Sequence, residues 1–269
     1  MSSSWWRFEL RQAPSPINAR LLAATCLVLI VFVWFALTLG AAEERWISPT
    51  ILPSPGEVLG AIKSLITERN LFQGIAATLT RVLFGFGLAL LIGAPLGIIA
   101  AAYRPLEAFL RPIVIPLSNV PVAALIPLTI LWFGIGETQK VMFIFVACVP
   151  FVFASAAGAV LAVPERYVDT ARTLGASNEQ IVLKVLVPAA LPELYRALRG
   201  LFGLAFGYIM LAELINAPQG LGAILNVSQR RGLTEHVFLT LMLIGLIAWA
   251  IDHGLGWFER RLFPHQVKE

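Results

Sequence analysis

The sequence predicts an all-α integral membrane protein with six transmembrane helices. Three observations predict it. Of 269 residues, 58% are hydrophobic and only 13% are charged, whereas a soluble domain carries about a quarter. Apolar runs recur at lengths near the roughly 20 residues that a helix needs to cross a bilayer. The period-two segments of about 10 residues that a transmembrane barrel requires are not found.

The elements follow in order. Met1–Arg20, with Trp5, Trp6, Arg7 and Arg11, reads as an interfacial anchor. Arg20–Gly40 is the first apolar run. "LGAA" at Leu39–Ala42 has the small residues of a signal-cleavage site. The run is longer than the roughly 7–15 residues of a signal core, so a retained helix is expected. "ISPTILPSPGEVLGAI" (Ile47–Ile62) carries three prolines and predicts an external loop entering a short amphipathic helix. The second span lies within Leu71–Tyr103, with an amphipathic turn around Thr78 and Arg81. Gly85, Gly87, Gly93 and Gly97 on this span have the small-residue spacing that lets helices approach closely.

The third apolar stretch, Leu106–Phe133, is broken by Pro112, Pro116, Pro121 and Pro127. Proline removes a backbone donor and kinks a helix. At membrane depth such a break is tolerated only inside protein or beside a cavity, so this stretch is expected to face the bundle interior. The fourth span is Thr138–Val163, the fifth Ala189–Ile215 and the sixth Val237–Phe258. A polar loop, Asn216–Gly232, joins the last two. Residues 21–262 thus form one six-helix domain between a cytoplasmic N-terminal segment, 1–20, and a basic cytoplasmic tail, 263–269.

Orientation follows from charge. Six spans put both termini on one side. With that side cytoplasmic, the outer segments hold seven of the 20 basic residues: Arg45, Lys63, Arg69, Arg81, Lys140, Arg230 and Arg231. The other thirteen are inside, as the positive-inside rule asks. The pI near 9.4 therefore reflects membrane flanks and not nucleic-acid binding. Cys26 and Cys148 lie in apolar runs as buried thiols, and His236, His253 and His265 are isolated, so no metal or cofactor is expected.

One cytoplasmic stretch is out of character: "YVDTARTLGASNEQIVLKVLVPAALP", Tyr167–Pro192. Pro164 and Glu165 suit the first turn of a helix. Tyr167, Val168, Ala171 and Leu174 share one helical face. Gly175 stands where a left-handed cap ends the helix. Ala176 leads into "SNEQ", in which Ser177 and Gln180 have capping-box spacing. Pro188 and Pro192 mark the next span. The segment reads as helix, glycine turn, helix. It suits either an interfacial loop on lipid headgroups or a rigid docking element for a soluble partner.

This segment resembles the cytoplasmic "EAA" loop of permease subunits of ATP-binding-cassette importers. That pattern is Glu-Ala-Ala, three residues, Gly, nine residues, Ile, one residue, Leu-Pro. Here it reads Asp169-Thr170-Ala171, "RTL", Gly175, nine residues, Val185, Leu186, Val187-Pro188. Ala171, Gly175 and Pro188 match, Asp169, Val185 and Val187 depart conservatively, and Thr170 replaces a small alanine. "LPSPGEVLGAI", "TLTRVLFGFGLALLIGAPLGI", "NVPVAALIPLTILWFGIGETQKV" and "AELINAPQGLG" are similar to the nitrate, taurine and alkylsulfonate permeases. The resemblance implies the type I importer permease (MetI-like) fold in a bacterial inner (plasma) membrane. It implies a homodimer, two ATPase subunits docked beneath, and a periplasmic or lipid-anchored substrate-binding protein above. The 164–188 loop would then couple to the ATPase through Glu165, Asp169, Thr170, Ala171, Leu174, Gly175, Ala176, Ser177 and Pro188. The chain has no G-x-x-x-x-G-K-[ST] phosphate loop, so hydrolysis belongs to another chain.

Polar residues at membrane depth are the pathway candidates. A charge there costs about 2.5–3.5 kcal/mol on insertion scales. Glu213 suits a structural role, because an acid repels an anion. Arg81 either attracts an anion or pairs with Glu213. Ser118, Asn119 and Thr129 on the broken stretch, and Tyr208, are placed to reach a lumen. Arg230 and Arg231 face a binding protein or solvent. The reading is a permease for a small anion such as sulfonate, taurine or nitrate. An ion-coupled secondary transporter is the alternative, but it calls for several intramembrane carboxylates and an inverted repeat. A membrane-bound enzyme lacks its catalytic cluster.

The topology makes a direct prediction. A cysteine replacing Ser177 should react with an impermeant thiol reagent only from the cytoplasm, and one replacing Gln219 only from outside. The reverse labelling pattern would invert the assignment.

Overall fold

A computed structural model describes residues 14–264. Most of the N-terminal anchor, including Trp5, Trp6, Arg7 and Arg11, lies outside the described residues, as does the tail beyond 264. The described chain is helical throughout, without a strand.

Helix α1 spans Pro16–Leu37, starting earlier than the apolar run suggests. Ser15 caps it, its hydroxyl accepting from Asn18 N–H, and Pro16 opens the first turn. α1 touches the bundle at its outer end. There the Trp34 indole donates to Pro53 O at 2.9 Å and stacks near Phe238. The external loop leads to α2, Pro55–Thr67, through the capping box of Ser54 and Glu57. Arg45 bonds Glu57 at 3.0 Å and, with the Ser54 backbone, holds its carboxyl down at about 2. Val58, Ala61 and Leu65 form the buried stripe of α2.

The centre of the fold is α3, Leu71–Ala102, packed along α6, Glu137–Leu161. Small residues recur every fourth position on the α3 face that meets α6: Gly85, Ala89, Gly93 and Gly97, all buried. A Cβ on Gly85 would stand 2.6 Å from Ile144 Cβ and 2.7 Å from Val141 O. One on Gly93 would crowd Val149 O and Val152, and one on Gly97 would overlap the Phe153 carbonyl. Gly87 points away into open space. The weak G-x-x-x-G signal is therefore one part of a longer stripe with a defined partner.

The proline-rich stretch is two helices. α4 spans Arg104–Asn119 and α5 spans Leu125–Phe133, joined by a 3-10 turn at Val122–Ala124 and bent by 94°. Five helices are long and apolar enough to span, and six spans result when this bent pair counts as one. The stretch expected on the cytoplasmic side is α7, Glu165–Thr173, and α8, Asn178–Ile181. α8 runs through a π turn, Val182–Leu186, into α9, Val187–Asn216. In the π turn Val187 N–H reaches back to Val182 O. Pro188 has no N–H for Lys184 O, and its ring would crowd that carbonyl in a regular α-turn. The wider turn relieves the crowding.

The stretch expected as a polar loop contains a further helix, α10, Leu221–Arg230. The turn residues "NAPQG" mask it, although Leu221, Ile224 and Ser228 form a buried stripe at helical spacing. α11, Thr234–Leu262, closes the bundle at its periphery.

The α3–α6 packing carries a prediction. Gly85→Val should destabilise the protomer by about 1–3 kcal/mol through overpacking, seen as a lowered melting temperature in detergent. Gly87→Ala should leave that temperature within a degree or two of wild type. Equal effects would refute the assigned interface.

Candidate functional site

Two polar constructions stand out from the apolar bundle, one at the end expected to face outward and one at the end expected to face the cytoplasm. The outer one centres on Arg81. From the start of α3 the helix rises about 15 Å to reach Arg81, level with the ends of α6 and α9. Arg81 Nε and Nη2 donate to the two Glu137 carboxylate oxygens at 2.5 and 2.7 Å. Nη1 donates to Glu213 Oε1 at 2.6 Å and to Gln219 O at 2.7 Å. One guanidinium thus joins α3, α6, α9 and the 217–220 loop. The planar fork suits two carboxylates at once.

Glu213 is fully enclosed, with 0% of its side chain exposed. Its charge is balanced from three sides. Arg81 holds Oε1, the Thr78 hydroxyl donates at 2.9 Å, and Gly222 N–H donates to Oε2 at 2.9 Å. Leu221 N–H in turn donates to the Thr78 hydroxyl at 3.0 Å. Leu221 and Gly222 open α10, so the buried acid and Thr78 satisfy the free N–H groups of that helix's first turn. This requires glycine. A Cβ on Gly220, whose φ is +132°, would stand 2.5 Å from the Glu213 carboxyl carbon, and one on Gly222 would lie 2.6 Å from Glu213 Cβ. Asn226 Nδ2 donates to Leu214 O and ties α10 to α9 a second time. Lys140, also buried, bonds Gly136 O at 3.1 Å and lies 3.8 Å from Glu137. The cluster holds two cations and two anions.

Of the two roles open to Arg81 in the sequence, the ion pair with Glu213 is formed, and all three of its nitrogens are engaged within the chain. Thr129 is enclosed between α5 and α6, where it accepts from Gln139 Nε2 at 2.9 Å. Ser118 and Asn119 stand beside the 94° bend and bond their own helix at Val114 O and Ile115 O. Tyr208 is half-buried on α9.

On the cytoplasmic face the two short helices take the geometry that their spacing foretells. Gly175 has φ +80°. Ala176 N–H bonds Ala171 O at 3.0 Å and Gly175 N–H bonds Arg172 O at 2.9 Å, the paired closure of a glycine-capped helix. Ser177 and Gln180 form the capping box reciprocally. Pro164 is the residue before the first turn of α7, and Glu165 lies within that turn. The apolar face divides. Ala171 is buried on the side of α7 that packs on α8 and the π turn, while Leu174 is 82% and Tyr167 47% exposed. Asp169 and Thr170 lie on the open side, Asp169 beside Arg172 at 3.8 Å.

Sequence reasoning missed a third cluster, near the inner ends of α9 and α11. Arg199 bonds both Asp252 oxygens at 2.6 Å and Glu259 at 3.1 Å, and Arg196 bonds Glu259 at 3.0 Å. The Tyr195 hydroxyl donates to Leu255 O. A Cβ on Gly256 would meet the Arg199 guanidinium at 2.7 Å, so a glycine lets the cation cross. The readable signal was Arg196 and Arg199 one turn apart, facing Asp252 and Glu259 two turns apart.

Comparison with known proteins points one way. The family described as binding-protein-dependent transport system inner membrane component matches residues 93–265. The taurine transport system permease protein of Escherichia coli (strain K12) is 33% identical over 96% of this chain and 92% of its own length. A putative aliphatic sulfonates transport permease protein of Bacillus subtilis (strain 168) is 29% identical over 80% of this chain and 78% of its own. Among solved structures, an inward-facing methionine ABC transporter aligns with TM-score 0.62 and 26% identity, over 71% of this chain and 95% of the matched one.

The outer network is expected to be structural. Glu213→Ala leaves Arg81 and the start of α10 without their partner, and such losses cost about 3–5 kcal/mol. Size-exclusion yield and melting temperature should both fall. Glu213→Gln keeps one acceptor oxygen and should lose less than Glu213→Ala, and equal losses would show that the hydrogen bonds to this side chain are not the stabilising contacts.

Proposed function

Since the chain belongs to the binding-protein-dependent transport system inner membrane components, the permease subunits of ABC importers, we propose that α7 and α8 couple a partner ATPase to a transmembrane pathway for a small anion. The chain is an inner-membrane transport subunit and not an enzyme; ATP hydrolysis resides on a separate partner chain.

The observation that carries the coupling role is the exposed face of α7. Leu174, 82% exposed, stands on a short helix whose other side, at Ala171, is buried, and which packs on α8 and the π turn. A lipid-facing loop has no need of a glycine C-cap followed at once by a capping box. A helix that must transmit force into a groove needs a fixed backbone and a protruding apolar side chain. Glu165, Asp169, Thr170, Leu174, Gly175, Ala176 and Ser177 supply the docking surface, and Pro188 stands in the first turn of α9, just after the π turn. Motion of α7 and α8 then passes along α9, which is tied to α11 at one end and to α3 and α6 at the other. Residues 21–262 act as the permease domain, with 164–188 as its coupling loop.

The pathway forms between two copies of the chain, with an extracytoplasmic binding protein above. Ser118, Asn119 and Tyr208 are the residues offered to the lumen. Arg81, Glu213 and Thr129 are the scaffold behind them. Sulfonates, taurine among them, are the proposed substrate class, because two of the similar permeases are named for taurine and aliphatic sulfonates.

Gly175→Val tests the coupling role. A β-branched residue is strained at φ +80°. The space around Gly175 is open, so the strain and the added bulk act on α7 and α8 and not on the bundle. Reconstituted vesicles should hold a membrane-inserted protein whose uptake and substrate-stimulated ATPase activity fall at least tenfold, about 1.4 kcal/mol of coupling. Normal coupled transport would show the segment to be an interfacial loop.

A further inference from the structure

A groove runs between α9 and α11. Its deeper part is a cavity of about 320 Å³. Gly200, Gly203 and Phe206 of α9 line one wall, and Ala248, Trp249 and Leu255 of α11 the other. A Cβ on Gly200 or Gly203 would meet nothing within 4 Å, so the floor is open space. Both glycines are exposed, as is Trp249. A second cavity, of about 310 Å³, continues from the first. It shares Arg199, Gly200 and Asp252 with it and adds Arg196 and Glu259. The groove is therefore apolar at its deep end and ionic at the end of the spans.

Its length and gradient match one leaflet of a bilayer. From Arg196 to Phe206, α9 rises about 15 Å. That is half of a hydrocarbon core about 30 Å thick. Beside the ionic end, Arg261 stands 3.9 Å over the ring of the exposed Trp257. Aromatic and basic side chains of this kind mark the headgroup level.

The ionic wall selects among headgroups. Its lining holds two cations, Arg196 and Arg199, and two anions, Asp252 and Glu259. A balanced wall suits a headgroup that is itself a zwitterion. Arg199 donates to both Asp252 oxygens at 2.6 Å, yet the Asp252 side chain stays 57% exposed. Each carboxylate oxygen accepts more than one bond, so Asp252 has room for a further donor on its open side. Arg196, 45% exposed, offers a guanidinium fork to a phosphate at the same level. An apolar span of a second copy laid in the groove would cover Asp252 without giving it that donor, which is unfavourable.

We propose that this groove seats one phospholipid whose headgroup ends in a primary ammonium. One acyl chain lies over Gly200 and Gly203 against Trp249, the phosphate meets Arg196, and the ammonium donates to Asp252. The proposal needs the membrane-spanning reading and not the transport reading. The lipid braces α9 against α11 beside the Arg199 tie.

The test uses the full chain in nanodiscs holding equal amounts of phosphatidylethanolamine, phosphatidylcholine and phosphatidylglycerol with the same acyl chains. Native mass spectrometry reads which lipid stays on the protein. The ethanolamine lipid should be retained about tenfold over the choline lipid, the worth of one charge-assisted hydrogen bond. A quaternary ammonium has no N–H to donate. Gly203→Leu fills the floor and leaves the ion pairs in place; it should lose the retained lipid with the melting temperature no lower. Asp252→Asn keeps one acceptor oxygen for Arg199 and should remove the headgroup preference while a lipid is still retained. Equal retention of the ethanolamine and choline lipids by the wild type overturns the proposal. So does a preference for the glycerol lipid, which would mark a site for net negative charge. Wild-type retention in Gly203→Leu, or an unchanged preference in Asp252→Asn, overturns it as well. Cross-linking of Gly203→Cys between two copies would give the groove to a second copy and refute the lipid seat. Should either variant fail to fold, the wild-type preference decides alone.

Discussion

One buried guanidinium organises the outer half of this protein. Arg81 is the only cation within 4 Å of Glu213 among the described ion pairs, and Glu213 has no exposed side-chain surface. An unpaired acid at that position would be untenable in a membrane interior, where a charge is tolerated when it is paired or hydrated. Once paired, the acid has capacity left over, and it uses that capacity to hold the first turn of α10. The glycines at 220 and 222 follow from the same contact, because any side chain there would occupy the carboxylate's space. The constraint therefore runs outward from a charge to a hydrogen bond, to a helix start, to the shape of the external surface.

The inner half answers with a second ionic tie. Arg199 grips Asp252 with two nitrogens and Glu259 with a third interaction. α9 is thus held to α11 near the cytoplasm and to α3 and α6 near the outside. Between the inner tie and the short helices α7 and α8 lies the π turn at Val182–Leu186, where the backbone is least regular. α9 is thus a long helix held near both ends, with one irregular joint immediately before it. The α3–α6 pair, packed backbone to backbone through Gly85, Gly93 and Gly97, supplies the frame on which it packs.

The parts that the sequence made legible share a property: their cause lies within a few residues. The left-handed Gly175 and the box at Ser177–Gln180 each depend on neighbours three or four positions away, and each was readable. The spans were readable from local composition alone. Parts with distant causes were not. α10 was hidden because "NAPQG" has the composition of a turn, while the reason a helix begins there is an acid on another helix. The Arg199 cluster was hidden because its members sit in two different spans, each of which looks merely interrupted by charge.

By itself the sequence determined the membrane class, the spans, the charge asymmetry and the caps of the cytoplasmic helices, since hydrophobic run length and short-range hydrogen bonding are local quantities. Only the tertiary structure decided which of Arg81's possible roles is realised, because its partner Glu213 is 132 positions away and nothing in the intervening chain encodes their distance. It likewise decided which glycines are interfaces and which are open. Gly85 and Gly87 are two residues apart in one helix, yet they face opposite environments, and that difference exists only once α6 is packed against one of them.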